Sequence, residues 1–166
     1  MLPLTRMEDP LDRALEVIAS LNEAGVDYAI FGGVALNIHG IVRATEDIDV
    51  FLRAEPANIE RLRKALRKVW NDPEIDGITA EDLCGQYPAV RYGPPDGTLY
   101  LDLVTRLGEA FAFDDLKVET KVIENVNVKV VTPRTLYEMK KGTVRPQDQA
   151  DAAALRRAFG LADGNG

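Results

Sequence analysis

The 166-residue chain has one cysteine (Cys84), one histidine (His39) and one tryptophan (Trp70). One cysteine excludes an internal disulfide and fits a reducing cytosol, with the thiol expected to be an ordinary buried group. No apolar run approaches membrane-spanning length, and "MLPLTRMEDPLDR" lacks the apolar centre of a signal peptide, so a soluble, cytoplasmic protein is expected. Positive charge is also scarce: the net charge is −7 and the pI about 4.8. Phosphate contacts supply most of the affinity for long nucleic acids, so nucleic acid is not the expected partner. One nucleotide remains within reach if a metal ion or a few local cations neutralise its phosphates. There are no repeats, low-complexity tracts or internal linkers.

What is present suits a packed core. Hydrophobic residues make up 46% of the chain, which predicts one domain over residues 1–160 and a flexible tail over 161–166. Asp9-Pro10 reads as a capped helix start, followed by Leu11, Leu15, Ile18, Ala19 and Leu21 at helical spacing and by Gly25 as a stop. "DYAIF" reads as a buried strand, "VALNIHG" as a short helix and "EDIDVFL" as the next strand. "PANIERLRKALRKVW" is amphipathic, with Ile59, Leu62, Leu66 and Val69 on its buried stripe. Its basic residues, Arg61 to Lys68, fall mainly on the other face, without the aromatics that accompany nucleic-acid stacking. Residues 71–86 are turn-rich and have no clear assignment. "PAVRY" and "TLYLDLVTRL" predict two strands joined by "GPPDGT", and "KVETKVIENVNVKVV" a hairpin turning at Glu124-Asn125. Two helices follow, each opened by a proline. The order predicts an α/β (α+β) domain with a mixed β-sheet flanked by helices.

The chemistry concentrates in "FGGVALNIHGIVRATEDIDVFL", residues 31–52. Side chains two apart on a strand share a face, so Asp47 and Asp49 sit together and Ile48 points away. "YLDLV" offers a third carboxylate, Asp102. If the two strands are neighbours, the three converge. Two such charges about 5 Å apart repel by about 3 kcal/mol at an effective dielectric of ~20. Three pairs would cost roughly 10 kcal/mol by the same arithmetic, comparable with the stability of a whole domain. A divalent cation would offset this, and all-oxygen ligands favour Mg2+ or Mn2+. The simpler reading leaves the aspartates at strand ends, solvated or paired with Arg43, Arg53 or Arg106. Gly32-Gly33 weighs against it. Glycines between a strand and a helix let the backbone approach a ligand closely, and a helix start attracts anions.

A strand, Gly-Gly, a short helix, Arg43-x-Thr45-x-Asp47-x-Asp49 and a later acidic strand together resemble the nucleotidyltransferase superfamily typified by DNA polymerase β. The likeness is to its minimal bacterial members, both antitoxin-type and abortive-infection toxin-type, and covers roughly residues 25–158. The motif residues matched are Gly32, Gly33, Asp47, Asp49 and Asp102. Gly33 stands where serine is common, which leaves phosphate binding to backbone N–H groups. The resemblance implies a nucleotidyltransferase-like fold and transfer of a nucleoside monophosphate, AMP being favoured, from an NTP to a hydroxyl acceptor through two metal ions. It implies metal ligation by Asp47, Asp49 and Asp102, with Asp102 taking the acceptor's proton. Arg43, Thr45 and Lys140 (or Lys141) would line the phosphate pocket. Arg145, Asp148 and Asp151 read as a structural ion-pair set and His39 as a packing residue. By the same resemblance the acceptor lies on a protein, and the partner is a toxin or antitoxin or a second copy in a homodimer. Two other readings stay open: a non-catalytic toxin–antitoxin partner that keeps the fold, and a structural cation site.

Overall fold

Helical spacing and alternation become six helices and eight strands in the computed structural model, which describes residues 10–161. The proposed cap Asp9 lies outside the described residues, as does the expected tail apart from Leu161, which packs against the core. Helix α1 (Pro10–Glu23) buries Ala14, Leu15, Val17, Ile18 and Leu21. Ala19, expected on that stripe, is exposed; Ser20 is buried instead, its hydroxyl donating to the Ala65 carbonyl at 2.7 Å. That bond ties α1 to α3 (Pro56–Val69), whose buried stripe is Ile59, Leu62, Ala65 and Leu66. Burying each large aliphatic side chain contributes about 1.5–3 kcal/mol.

The strands are β1 (Tyr28–Phe31), β2 (Asp47–Leu52), β3 (Ala89–Tyr92), β4 (Tyr100–Val104), β5 (Arg106–Leu107), β6 (Phe111–Ala112), β7 (Val118–Ile123) and β8 (Val126–Val131). Six form one mixed sheet in the order β3-β4-β2-β1-β8-β7. β2 runs antiparallel to β1 and parallel to β4, and β1 runs parallel to β8. The β7–β8 turn falls at Glu124-Asn125, both with positive φ, the backbone a two-residue hairpin needs.

The sequence predicts one strand over 98–107, but β4 stops at Val104. Thr105 is buried, with its N–H on the Pro88 carbonyl at 2.8 Å and its hydroxyl on the Leu83 carbonyl, so the chain leaves the sheet there. Residues 106–112 form the separate β5–β6 ribbon. The unassigned segment 71–86 contains a 3-10 turn (Pro73–Gly77) and the one-turn helix α4 (Ala80–Leu83), capped by Asp72 and Thr79. Cys84, expected to be buried, is exposed at its end. Helix α2 (Gly32–Ile38) starts at the double glycine itself, and α5 (Pro133–Lys141) packs against α6 (Pro146–Phe159).

Candidate active site

The site follows from register. Residues paired across a sheet point to the same side. Asp49 stands opposite Asp102 on β4 and opposite Phe31 on β1, while Arg91 on β3 stands opposite Asp102. Arg91, Asp102, Asp49 and Phe31 therefore form one row across four strands, and Asp47 and Tyr100 form the adjoining pair. Ile48 and Val50 alternate to the opposite side and are fully buried. The carboxylates thus sit on a rigid platform.

Just after Phe31 the chain turns at Gly32, whose φ is +69°, a conformation that side chains disfavour. A Cβ there would collide with the Asp49 carboxylate. The Gly33 backbone N–H favours the charge of that carboxylate, and a Cβ on Gly33 would come within 3.3 Å of Thr45 Oγ1. The Thr45 hydroxyl in turn donates to the Asp47 carbonyl at 2.8 Å.

Gly32, Gly33, Arg43, Thr45, Asp47, Asp49, Asp102 and Lys140 all line one cleft of about 310 Å³, together with Glu46, Arg145 and Asp148. A larger hollow of about 640 Å³ adjoins it, sharing Gly32, Asp49 and Lys140, with a wall of Phe31, Leu107, Phe111, Leu136 and Met139. Sequence reasoning gave no sign of this hollow, because its wall comes from three distant segments and includes the unforeseen β5–β6 ribbon.

Charge in the cleft is unevenly compensated. Burial pushes the Asp49 carboxyl up to about 7, helped by the charges of Asp102 and Asp47; Lys140 and the Gly33 N–H pull the other way. Burial and Asp102 also raise Asp47, and Arg91 partly offsets them. Arg91 was not singled out in the sequence, where Arg43, Arg53 and Arg106 were the possible counter-ions. It is nevertheless the arginine on the triad: Nε donates to Asp102 Oδ1 at 3.1 Å and Nη2 to Asp47 Oδ2 at 2.7 Å. Arg43 pairs with Asp151 at 3.2 Å, and Arg53 pairs with Asp27 and Asp114. No sequence motif marks Arg91; the signal is the β3-β4-β2 order, which the sequence does not spell out.

Lys140 is buried, with Nζ 2.9 Å from Asp151 and 3.3 Å from Asp148, while Lys141 turns to Glu138. Arg145 lies at the rim, 3.9 Å from Asp148. His39 is a packing residue: Nε2 lies 2.8 Å from the Val131 carbonyl and the ring stands edge-on to Phe159.

Carboxylate oxygens on one face, beside a glycine whose Cβ would fill the space next to Asp49, are a donor set suited to a hard divalent cation. In this conformation Arg91 spans two of the three, and no set of three His, Cys, Asp or Glu side chains among the described residues is gathered closely enough to hold an ion. The residues fit a cation in kind, and Arg91 stands between two of them.

Known structures share the fold. An antigenic nucleotidyltransferase-like protein from Paracoccidioides brasiliensis superposes with a TM-score of 0.56 at 21% identity, over 90% of this chain and 77% of that one. ANT(2")-Ia in complex with adenylyl-2"-tobramycin gives 0.53 at 12% identity, over 89% and 87%. JHP933 from Helicobacter pylori gives 0.50 at 19% identity, over 92% and 68%. The mixed sheet with its flanking helices is thus a nucleotidyltransferase-like fold. At the level of sequence, the profile of the family described as "Nucleotidyl transferase AbiEii toxin, Type IV TA system" matches residues 13–145, and the chain belongs to that family. Comparison with curated protein sequences gives no match. Among the described residues no helix is long and apolar enough to cross a membrane.

Proposed function

We propose that the chain is a Mg2+- or Mn2+-dependent nucleotidyltransferase that moves AMP from ATP to a hydroxyl group on a protein and releases pyrophosphate. The observation that carries this reading is the pairing of Asp49 with Asp102 in one row, with Asp47 two residues before and Gly32 leaving space beside them. Asp47, Asp49 and Asp102 would hold the cation, which when bound draws charge from the phosphate oxygens and makes the acceptor hydroxyl more acidic. Lys140, Arg145 and Arg43 bring positive charge to the cleft where a triphosphate would lie. Gly32 and Gly33 keep its floor free of side chains. Asp102 accepts the acceptor's proton on its carboxylate. The acceptor oxygen then bonds to the α-phosphorus while the bond to the bridging oxygen breaks, and pyrophosphate leaves with that electron pair.

A protein acceptor, the toxin or antitoxin partner, suits a toxin-family chain with an acidic surface and a site open to solvent. A second reading has its own support. The 640 Å³ hollow beside Asp49 has room for a small polyhydroxylated acceptor, and the ANT(2")-Ia complex contains adenylylated tobramycin in a protein of which this chain spans 87%. The test is incubation with each α-labelled NTP, Mg2+ and a cell extract or co-expressed partner. Label on a protein band, lost in Asp102→Asn, supports the proposal. Label on a small molecule supports the second reading, and no transfer from any NTP to any acceptor rejects both.

A further inference from the structure

The acidic row already contains a cation, and it belongs to the protein. Arg91 reaches Asp102 and Asp47 with two different nitrogens, and its guanidinium lies 4.9 Å over the ring of Tyr100. Such a two-pronged grip is stronger and more directional than a single contact. It takes up one oxygen of Asp47 and one of Asp102, on the face where a divalent cation would need them. Two cations cannot share those oxygens without strong mutual repulsion.

We propose that Arg91 is an internal counter-ion, which holds Asp47 and Asp102 together in the metal-free protein and has to withdraw before a divalent cation is taken up. The inference rests on the metal-dependent reading of the same site. The surroundings permit withdrawal. Arg91 is 56% exposed and stands on β3, which among the described residues is an edge strand with no neighbour on its outer side. Tyr100 is also exposed, and its ring already backs the guanidinium, a contact that does not depend on the two ion pairs. Asp49 takes no part in the grip, which joins Arg91 to Asp47 and Asp102. One side chain thus occupies oxygens of two of the three carboxylates and leaves Asp49 out.

The experiment uses the whole protein and Mn2+ alone, with binding read from the loss of the free-ion electron paramagnetic resonance signal at low ionic strength. Arg91→Ala is expected to bind Mn2+ about five- to tenfold tighter than the parent, the range set by the loss of a partly exposed two-pronged pair. Arg91→Lys, which keeps the charge but loses the fork, falls between. Melting gives a second readout. In EDTA the alanine variant melts below the parent, and saturating Mn2+ closes or reverses that gap. A purely structural Arg91 would leave the gap the same with and without Mn2+, and that result, or equal Mn2+ affinities, overturns the proposal while leaving the metal site standing. Absence of Mn2+ binding in both proteins overturns the proposal together with the metal-dependent reading.

Discussion

Asp49 and Asp148 line the same cleft, yet one carboxyl is pushed up to about 7 and the other is held below the usual carboxylate range. Burial disfavours the charge on both. At Asp148 it is outweighed by the Thr143 hydroxyl at 2.9 Å and by Lys140, which also serves Asp151. At Asp49 the charges with the largest effect are two more aspartates, and Lys140 is shared with its other partners. The Lys140 cluster is compensated from within and joins α5 to α6. The Asp49 cluster is compensated only in part, which is the condition in which a ligand's positive charge has most to offer.

The largest effect should come from Asp49→Asn. Under the proposed mechanism, transfer drops by about a thousandfold or more, roughly 4 kcal/mol of barrier. The metal-free protein should move the other way. The folded pKa of about 7 lies above the ordinary 3.8, so the native state holds an extra proton between those values. That stabilising contribution is complete below pH 3.8 and is lost as the pH rises through 7. In EDTA at pH 8 the asparagine variant is therefore expected to be more stable by up to about 4 kcal/mol. Urea denaturation should show the advantage shrinking toward pH 4.

Lys140→Met reverses the comparison by opening the closed cluster. It leaves the buried Asp151 and the half-buried Asp148 without their ammonium, at a cost of about 3 kcal/mol, read from the urea midpoint at pH 7. Little loss would mean that Arg43 and Arg145 compensate without it.

Gly32→Ala should cost about 2–3 kcal/mol, combining positive φ with the collision against Asp49. In an Asp49→Gly background the collision disappears, and the penalty should fall to the roughly 1 kcal/mol of backbone strain alone. An unchanged penalty would separate Gly32 from the carboxylate.

The smallest effect belongs to the basic face of α3. Arg67 pairs with Asp76, Lys68 with Glu23 and Arg63 with Glu60, so the face is largely neutralised in place. Arg67→Ala should change stability by no more than about 0.5 kcal/mol. Fluorescence anisotropy with a labelled RNA should show weak binding by both proteins.

Local features of the fold could be read directly from the sequence. The helices opened by prolines, the hairpin at Glu124-Asn125 and the same-face placement of Asp47 and Asp49 each depend on residues close together in the chain. Asp102 was found by its type, a lone carboxylate in an apolar strand, but its convergence with Asp49 depended on β2 and β4 being neighbours. Arg91 needed one further strand neighbour and so escaped notice. Segment 71–86 was unreadable for a different reason. Its 3-10 turn and single turn of helix are too short to show a period, and their caps, Asp72 and Thr79, resemble ordinary loop residues.

The strand order also separates the site's components by how often their backbone opens. β2 is hydrogen-bonded on both sides, to β1 and β4, whereas β3 has a partner on one side only among the described residues. Amide exchange of β2 should approach the rate set by global unfolding, while the outward amides of β3 exchange through local fraying. Asp47 and Asp49 are then anchored to the slowest-exchanging backbone in the sheet and the guanidinium to a faster-exchanging edge. Deuterium uptake along 47–52 and 89–92 would measure that separation directly.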